Sequence, residues 1–360
     1  MSRKLKVGVI GCYGIAKFKH VEAIQSIPEA EIVAYCDIIH ERAEDLRKEF
    51  GPSTAKTYTD YKELLKDDEV DVVHVLTPNI SHAPITVAAL KAGKHVMCEK
   101  PMATTYKDAK LMCDVAKETG KVLTIGYQAR CNPEQLYLKK LCEEGVLGDI
   151  YFAKAHALRR RGVPTWGVFL NAEEQGGGPL IDIGTHALDM TLWMMDNYKP
   201  KSVMGTTYKK LNDNPDCGNI FGPWDPSEYT VEDSAFGFIT MENGATIILE
   251  SSWALNILEE VEAKCTLCGT KAGADMKNGL TIVSDQCGRF IDTKPSFDDG
   301  AIAYVPGMTA YTPQELEARN FYDAILHGAE LRVKPEQALV VTQILEAIYE
   351  SAKTGQPVYF

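Results

Sequence analysis

The stretch Lys6-Val-Gly-Val-Ile-Gly-Cys-Tyr-Gly-Ile-Ala16 decides the fold. Its apolar run predicts a first strand over Leu5–Ile10, and its glycine-rich turn leads directly into a helix over Gly14–Ile27. A strand, a tight turn and a helix in this order present backbone N–H groups and the positive end of a helix dipole to a pyrophosphate. Asp37 follows about 20 residues on, after a second predicted strand, where a carboxylate accepts hydrogen bonds from ribose hydroxyls. The stretch therefore predicts dinucleotide binding, with NAD favoured over NADP.

The glycine motif departs from its usual form at one position. On the pattern G-x-G-x-x-G/A, Gly11 and Ala16 match, whereas Tyr13 stands where the middle glycine lets the backbone approach the phosphate. We expect the neighbouring Gly14 to compensate. The predicted cofactor residues of this turn, together with the acidic residue, are Gly11, Cys12, Tyr13, Gly14, Ile15 and Asp37.

Short strands alternate with helices as far as residue 126. Further strands are predicted over Asp71–Leu76, His95–Cys98 and Val122–Ile125, each separated from the next by a helical pattern. Parallel strands need such crossovers, so residues 1–126 are predicted to form a Rossmann domain, a doubly wound parallel α/β sheet.

The pattern changes from Tyr127 onward. Longer strands are predicted over Ile150–Leu158, Lys201–Lys209, Ser234–Met241, Ala245–Trp253 and Glu260–Leu267, with a hairpin turn at Glu242-Asn-Gly244. Residues 127–360 are predicted to form an α+β substrate and oligomerisation domain with a large, mostly antiparallel open sheet. An exposed sheet face is unfavourable in a monomer, so we expect a homodimer or homotetramer. The irregular segment Asn212–Tyr229 has no predicted role.

Composition excludes several classes of function. The chain has 360 residues, a formal net charge of −12, 45% hydrophobic and 24% charged residues. This balance is typical of a folded protein and disfavours binding to nucleic acid or to an anionic membrane. No apolar run approaches the ~20 residues of a spanning helix. The ten cysteines are scattered and predict a reducing cytoplasm, and the lone C-x-x-C at Cys265 and Cys268 is expected to be strand packing and not a metal site.

Polar residues follow the third and fourth predicted strands. Ligands of an open α/β sheet bind at the carboxyl ends of its strands. We therefore expect these residues to line the cofactor crevice: Thr77, Pro78, Asn79, His82, Glu99 and Lys100. The alternatives are helix capping by Asn79 or Ser81 and, for Glu99 and Lys100, solvated loop charges.

Asp182 and His186 lie four residues apart on a helix predicted after the breaker Gly176-Gly-Gly-Pro179, so they share one helix face. Histidine titrates near neutrality, which suits a general base for an alcohol proton. Lys100 can stabilise the developing alkoxide, and Asp182 can orient the imidazole or bind substrate. The alternative is a structural histidine bonded to the neighbouring aspartate.

Residues suited to a sugar occur close to these positions. Charged or amide side chains bind sugar hydroxyls, and an aromatic side chain covers the apolar face of the ring. The candidates are Arg130, Arg159 and Trp166. Arg159, Arg160 and Arg161 cannot all face one site on extended backbone, because neighbouring side chains alternate.

The combined motifs resemble the glucose–fructose oxidoreductase/inositol dehydrogenase (Gfo/Idh/MocA) family over nearly the whole chain. They are the glycine turn, Thr77-Pro-Asn79 with His82, Glu99-Lys-Pro101, and Gly177-Gly-Pro-Leu-Ile-Asp-Ile-Gly-Thr-His186 with Asp189. The resemblance also covers Val231-Glu-Asp233 and the closing Tyr349–Gly355. It implies NAD(P)-dependent redox chemistry on a sugar or polyol, with Lys100, Asp182 and His186 as the catalytic trio. It further implies that Lys100 contacts both cofactor and substrate.

The sequence thus predicts an NAD-dependent dehydrogenase that oxidises a secondary hydroxyl of a sugar, polyol or derivative to a ketone, or catalyses the reverse. One alternative is a glycosidase or lyase that oxidises its substrate transiently and retains NAD. Another is a non-catalytic, NAD-responsive binding protein. No metal is expected.

Overall fold

The computed structural model describes residues 3–214, 216, 218–297 and 311–360, and the chain divides into two units. The first unit comprises the described residues within Met1–Cys131 and Val305–Leu339, and the second those within Asn132–Tyr304 and Val340–Phe360. The predicted division placed all of residues 127–360 in the second domain. Among the described residues, the structure instead groups 311–339 with the first unit.

The sheet of the first unit has six parallel strands in the order β3-β2-β1-β4-β5-β6. The strands are β1 Leu5–Ile10, β2 Ala30–Cys36, β3 Lys56–Tyr58, β4 Val72–Val75, β5 His95–Cys98 and β6 Leu123–Ile125. The chain order reverses between β1 and β4, which creates a crevice at their carboxyl ends. The predicted doubly wound parallel sheet is confirmed. Sequence patterning missed only β3, a three-residue edge strand without a buried side chain.

Helices connect these strands. They are α1 Glu22–Gln25, α2 His40–Phe50, α3 Tyr61–Leu65, α4 His82–Lys91 and α5 Tyr106–Thr119. The helix predicted over Gly14–Ile27 is π-helical over Ala16–Val21 before α1 begins. Short 3-10 turns lie at Asn79–Ser81 and Gln128–Cys131.

The second unit contains a nine-stranded sheet in the order β14-β13-β12-β11-β7-β10-β9-β8-β15. Its strands are β7 Ile150–Leu158, β8 Pro200–Tyr208, β9 Ser234–Met241, β10 Thr246–Ser252, β11 Val261–Gly269, β12 Gly273–Asp275, β13 Thr281–Gln286, β14 Arg289–Thr293 and β15 Val358–Tyr359. Only the β7–β10 pair is parallel among these described strands, so the predicted mostly antiparallel sheet is confirmed. The predicted hairpin joins β9 to β10.

The remaining helices are α6 Pro133–Glu143, α7 Ala172–Gln175, α8 Thr185–Met195, α9 Pro313–His327 and α10 Pro335–Thr354, and a π-helical turn, Leu180–Gly184, precedes α8. Helix α8 packs on β7 and β11. Ile348 of α10 packs against Gly205 of β8 and Gly237 of β9, where a Cβ would lie 2.8 and 2.7 Å from its side chain. Helices α8 and α10 therefore cover one face of the sheet.

The opposite face of that sheet is open. Met204 and Phe238 are register partners on β8 and β9, and they are 41% and 50% exposed. Large apolar side chains adjacent on a sheet surface are unusual in a protein that works as a monomer.

Helix α9 accounts for the return of the chain to the first unit. Its Phe321 and Tyr322 are fully buried in a core that also contains Val7, Val9 and Ile24. The amphipathic pattern of α9 shows that one face is apolar but not which core buries it. In the described ranges, no helix is both long and apolar enough to cross a membrane.

Candidate active site

The glycine turn after β1 has the geometry that a dinucleotide requires. Gly11 has φ +95°, and a Cβ there would lie 2.7 Å from the main chain of Leu76, so the position excludes other residues. Tyr13 is 62% exposed, and the guanidinium of Arg42 stacks 4.6 Å from the centre of its ring. The tyrosine at the middle glycine position therefore turns its side chain outward and leaves the backbone of the turn in place.

Asp37 ties this turn to the end of β2. One of its carboxylate oxygens accepts the backbone N–H of Cys12 at 2.9 Å, and the other accepts that of Ile39 at 2.9 Å. Each oxygen keeps a second lone pair. Asp37 is only 8% exposed, so it is held where a ribose hydroxyl can donate to it. A turn that only glycine can form and a fixed carboxylate beside it fit the adenosine half of NAD.

His82 joins the loops that follow β4 and β5. Its Nδ1 lies 2.7 Å from the carbonyl oxygen of Pro101, and its Nε2 lies 2.9 Å from that of Thr77. Burial lowers the pKa of His82, although hydrogen bonds to these two carbonyls oppose that shift. Both ring nitrogens face the protein's own backbone, so His82 supports the loop that carries the buried Asn79. A direct contact of either residue with a cofactor stays a prediction.

Glu99 and Lys100 follow β5, and Glu99 belongs to a group of three buried charged residues. The Nζ of Lys19 lies 2.6 Å from Oε1 of Glu99 and 2.9 Å from Oε2 of Glu317. We call Lys19, Glu99 and Glu317 the buried ion cluster, since each is more than nine-tenths buried. The other oxygen of Glu99 accepts the backbone N–H of Lys100 at 3.0 Å. The half-buried Lys100 is thus attached to a residue that the cluster fixes.

One lysine lies between two carboxylates, and the pKa values of the two acids shift in opposite directions. Burial favours the neutral form of Glu99, but the charge of Lys19 and the hydrogen bond from His20 hold its pKa well below the ordinary value. Burial raises the pKa of Glu317 to about 7; the charge of Lys19 offsets part of this rise, and the charge of Glu99 adds to it. Near neutral pH, Lys19 and Glu99 form the ion pair, and Glu317 is the acid that exchanges a proton.

A chain of hydrogen bonds also ends on Glu99. Nε2 of His20 lies 2.8 Å from Oε1 of Glu99, and Nδ1 of His20 lies 3.0 Å from Nδ1 of His74. Nε2 of His74 lies 3.1 Å from the hydroxyl of Tyr322. Burial lowers the pKa of both histidines.

Two neutral rings admit one consistent assignment of protons. Nε2–H of His20 donates to the carboxylate, Nδ1–H of His74 donates to His20, and the hydroxyl of Tyr322 donates to His74. We call these residues the histidine chain. All of its donors point toward the negative charge of Glu99.

In the second unit, Glu232 fixes the start of the helical segment that carries Asp182 and His186. Its carboxylate accepts the backbone N–H groups of Gly178 at 2.9 Å and Leu180 at 3.2 Å, and the hydroxyl of Tyr349 at 2.8 Å. Burial raises the pKa of Glu232. A Cβ on Gly178 would overlap the carbonyl oxygen of Glu232, so only glycine allows the two backbones to approach this closely.

Asp182 lies in the π-helical turn, and His186 lies in the first turn of α8. The sequence predicted one continuous helix, and the structure shows this change of pitch at its start. Oδ2 of Asp182 accepts the indole N–H of Trp253 at 3.0 Å. Asp182 is 9% exposed, Trp253 is fully buried, and His186 is half-buried.

The predicted substrate residues occupy different surroundings. Arg159 forms two 2.6 Å hydrogen bonds with Glu262; burial opposes its charge, but Glu262 and the nearby Asp182 raise its pKa overall. Arg160 is exposed, while Arg161 donates to the side chain of Asn256 at 2.6 Å. The expectation that the three arginines diverge is confirmed.

Arg130 is fully buried in the first unit. Its guanidinium donates to the carbonyl of Arg332 at 2.8 Å and to the side chain of Gln337 at 2.6 Å. This placement favours a structural role for Arg130 over the predicted contact with substrate. Trp166, by contrast, is 47% exposed in the same unit as Asp182.

Sequence reasoning missed the residues that hold Glu99 and Asp182 in place. They are Lys19, His20, His74, Glu317, Tyr322, Glu232 and Trp253. Their partners lie far away along the chain, so no spacing pattern identifies them. Glu232 alone stood in a motif, Val231-Glu-Asp233, that the family resemblance includes.

Cysteine packing agrees with the sequence analysis. Cys265 is buried in β11, and Cys268 is half-exposed, so the two thiols lie on opposite sides of the strand. The nine cysteines that the structure describes are free thiols. Across the described residues, no group of His, Cys, Asp and Glu is arranged to hold a metal ion.

Comparison with known proteins agrees with this fold. The model of an oxidoreductase family with an NAD-binding Rossmann fold matches residues 5–127, and the model of its C-terminal alpha/beta domain matches residues 139–360. The D-glucoside 3-dehydrogenase of Escherichia coli (strain K12) is 38% identical over 356 residues, which cover 98% of this chain and 97% of that protein. The inositol 2-dehydrogenase of Salmonella typhimurium is 26% identical over 339 residues, covering 90% and 87% of the two chains.

A solved structure of levoglucosan dehydrogenase in complex with NADH and levoglucosan superposes with a TM-score of 0.80 at 25% identity and covers 99% of each chain. Both family domains are thus present in their expected order, and the Rossmann domain is the NAD-binding one. The chain belongs to the glucose–fructose oxidoreductase/inositol dehydrogenase (Gfo/Idh/MocA) family of oxidoreductases, as its motifs predicted.

Proposed function

We propose that this protein is an NAD-dependent dehydrogenase that oxidises the 3-hydroxyl of a D-glucoside to a ketone, or catalyses the reverse reaction. The observation that carries the proposal is the 38% identity to a D-glucoside 3-dehydrogenase along nearly the full length of both chains. The other named relatives act on cyclic polyols or anhydrosugars, which present the same kind of secondary ring hydroxyl.

The first unit would hold the cofactor through residues already described. The turn from Gly11 to Gly14, with Cys12, Tyr13 and Ile15, receives the pyrophosphate, and Asp37 accepts from the adenosine ribose. The loops Thr77-Pro78-Asn79 and Glu99-Lys100 lie at the carboxyl ends of β4 and β5, at the same edge of the sheet. Bound NAD supplies the acceptor for the hydride that leaves the sugar carbon.

Three side chains would carry the proton and the charge of the reaction. His186 takes the hydroxyl proton on its imidazole, because histidine is the side chain suited to proton exchange near neutral pH. The ammonium of Lys100 stabilises the negative charge that develops on the sugar oxygen. Asp182, fixed by the indole N–H of Trp253, orients His186 or accepts a second sugar hydroxyl. Arg159 and Trp166 are the proposed contacts with the glycoside substrate.

The test is the absorbance of NADH after the protein is mixed with NAD and methyl D-glucosides, free hexoses or inositols. We expect NADH from a glucoside and a fall of about 100-fold in kcat/KM for Lys100→Ala. Lys117→Ala, on the exposed side of α5, is the matched control and should retain the activity.

Three results would contradict the proposal. Equal activity of Lys100→Ala and Lys117→Ala would remove Lys100 from the mechanism. Release of a product without net NADH would identify a glycosidase or lyase that retains NAD, and the absence of turnover with NAD binding intact would favour a binding protein.

We also expect a second copy of the chain to cover the open face at Met204 and Phe238, as a homodimer or homotetramer. Sedimentation of the purified protein checks this, and a monomer at micromolar concentration would contradict it. The cytoplasmic location stays a prediction of the sequence.

A further inference from the structure

Hydrogen bonds fix the irregular segment 218–222 on the stretch that follows β7. The side chain of Asn219 accepts the backbone N–H of Val163 at 2.9 Å and donates to the carbonyl of the same residue at 2.8 Å. The hydroxyl of Thr165 donates to the carbonyl of Phe221 at 2.6 Å. A segment without regular structure that is held by such bonds keeps its exposed side chains in place.

This attachment brings together large apolar side chains that are open to solvent. Trp166 is 47% exposed, Phe221 is 41% exposed, and their rings meet edge to face at a centroid distance of 4.9 Å. We call these two residues the aromatic pair. The neighbouring Ile220 is 75% exposed. An apolar surface that is rigid and hydrated is characteristic of a binding site for an apolar group.

The aromatic pair is connected to the candidate active site within the second unit. Trp166 contacts Phe169 edge to face at 5.7 Å, and Phe169 contacts Trp253 in the same way at 6.5 Å. Trp253 in turn donates its indole N–H to Asp182. A continuous row of packed rings therefore connects the exposed aromatic pair with Asp182, the carboxylate that we assign to the sugar.

Two of the three arginines in this stretch have side-chain partners within the protein. Arg159 is paired with Glu262, and Arg161 donates to Asn256. What the aromatic pair offers a ligand is ring surface, whereas a sugar presents mostly hydroxyls. A substituent attached to the sugar matches this chemistry better than a second set of hydroxyls does.

We propose that the aromatic pair is a subsite for the apolar aglycone of a glycoside whose sugar is oxidised at the candidate active site. This inference rests on the proposed function and narrows its substrate to glycosides with an aryl or alkyl group. We assign the open sheet face at Met204 and Phe238 to contact with a second copy of the chain. The aromatic pair is therefore not needed for that contact.

The experiment compares kcat/KM for phenyl and methyl β-D-glucoside with NAD. The wild-type protein should favour the phenyl glucoside about tenfold, the size of one additional aromatic contact. In Trp166→Ala and in Phe221→Ala this ratio should fall toward one. Phe290→Ala, which removes a 90% exposed ring from β14, is the matched control and should keep the wild-type ratio.

Several results would overturn the inference. One is a wild-type ratio near one, and another is a ratio that both aromatic variants retain. A change of sedimentation in the variants with an unchanged ratio would assign the pair to contact between copies. If the wild-type protein oxidises neither glucoside, the proposed function fails instead. In that case, calorimetry of phenyl glucoside binding in the presence of NAD tests the subsite. The inference predicts that both aromatic variants bind phenyl glucoside more weakly than the wild-type protein does.

Discussion

The surroundings of Glu99 in the first unit and of Asp182 in the second stabilise a buried carboxylate in different ways. Glu99 faces the full positive charge of Lys19 at 2.6 Å and is also the acceptor of the histidine chain. Asp182 receives one neutral indole N–H, from Trp253 at 3.0 Å. The difference teaches that an ion pair, which is costly to break, holds the motif of the first unit, whereas a neutral hydrogen bond from Trp253 helps to hold Asp182 in the second.

The largest effect is expected when the positive charge is removed from the buried ion cluster. Lys19→Met leaves Glu99 and Glu317 buried without their shared counter-charge. We expect the free energy of unfolding to fall by about 3–5 kcal/mol, measured by urea denaturation.

Lys17→Met is the matched control for this substitution. Lys17 lies two residues away on the same helical segment and pairs with Glu49, but the two side chains are 42% and 49% exposed. Water screens such a pair, so the loss should stay below about 1 kcal/mol. Equal losses in the two variants would contradict the distinct role of the buried ion cluster.

A smaller effect is expected at Asp182. Trp253→Phe removes the indole N–H donor and should lower the free energy of unfolding by about 1.5–3 kcal/mol, because a buried carboxylate loses a hydrogen bond. It should also lower kcat/KM for methyl glucoside, since Asp182 then loses a hydrogen bond that orients it.

Trp224→Phe separates these two effects. Trp224 is 6% exposed and donates its indole N–H to the carbonyl of Asn212 at 2.7 Å, so the variant loses a similar bond away from Asp182. We expect a loss of stability with little change in kcat/KM for methyl glucoside. Parallel changes in kcat/KM for both variants would remove Trp253 from the positioning of Asp182.

The smallest effect concerns the pH dependence of stability. Glu317 faces Lys19, Glu99, Arg332 and Cys131, and its pKa is raised from the ordinary 4.5 to about 7. The folded state thus binds this proton more tightly than the unfolded state does. The stabilisation is fully present below about pH 4 and is lost as the pH rises through about 7.

Glu317→Gln removes this titration while it preserves the shape of the side chain. Between about pH 5 and 8, the Tm of the wild-type protein should fall relative to that of the variant by a few degrees (about 2–4 °C for each kcal/mol). Scanning fluorimetry across this range provides the measurement. Two parallel Tm curves would show that Glu317 keeps an ordinary pKa.

Local signals made much of the fold predictable from sequence. The bounds of β1, β5 and β7 agree with prediction residue for residue, because strand patterning is a property of neighbouring residues. The positions of Gly11 and Asp37 were predictable for the same reason, since the turn after β1 and the end of β2 lie within one βαβ unit. The π-helical start of α8 was not, because its glycines also suit an ordinary helix.

The supports of the candidate site depend on distant contacts. Lys19 and Glu99 are 80 residues apart, and Glu317 reaches them only because α9 packs in the core of the first unit. Trp253 meets Asp182 across 71 residues. No pattern within a sequence window encodes such pairs, so motifs identify the residues that we propose as reactive but not the residues that contact them.

The most direct test of the central claim follows the hydrogen that leaves the sugar. Methyl β-D-glucoside labelled with deuterium at C3 is incubated with the protein and NAD, and both products are analysed by NMR and mass spectrometry. The account predicts deuterium in the reduced cofactor and a ketone at C3 of the sugar. Deuterium retained at C3 of the sugar, with a ketone elsewhere or with no reduced cofactor, would contradict it.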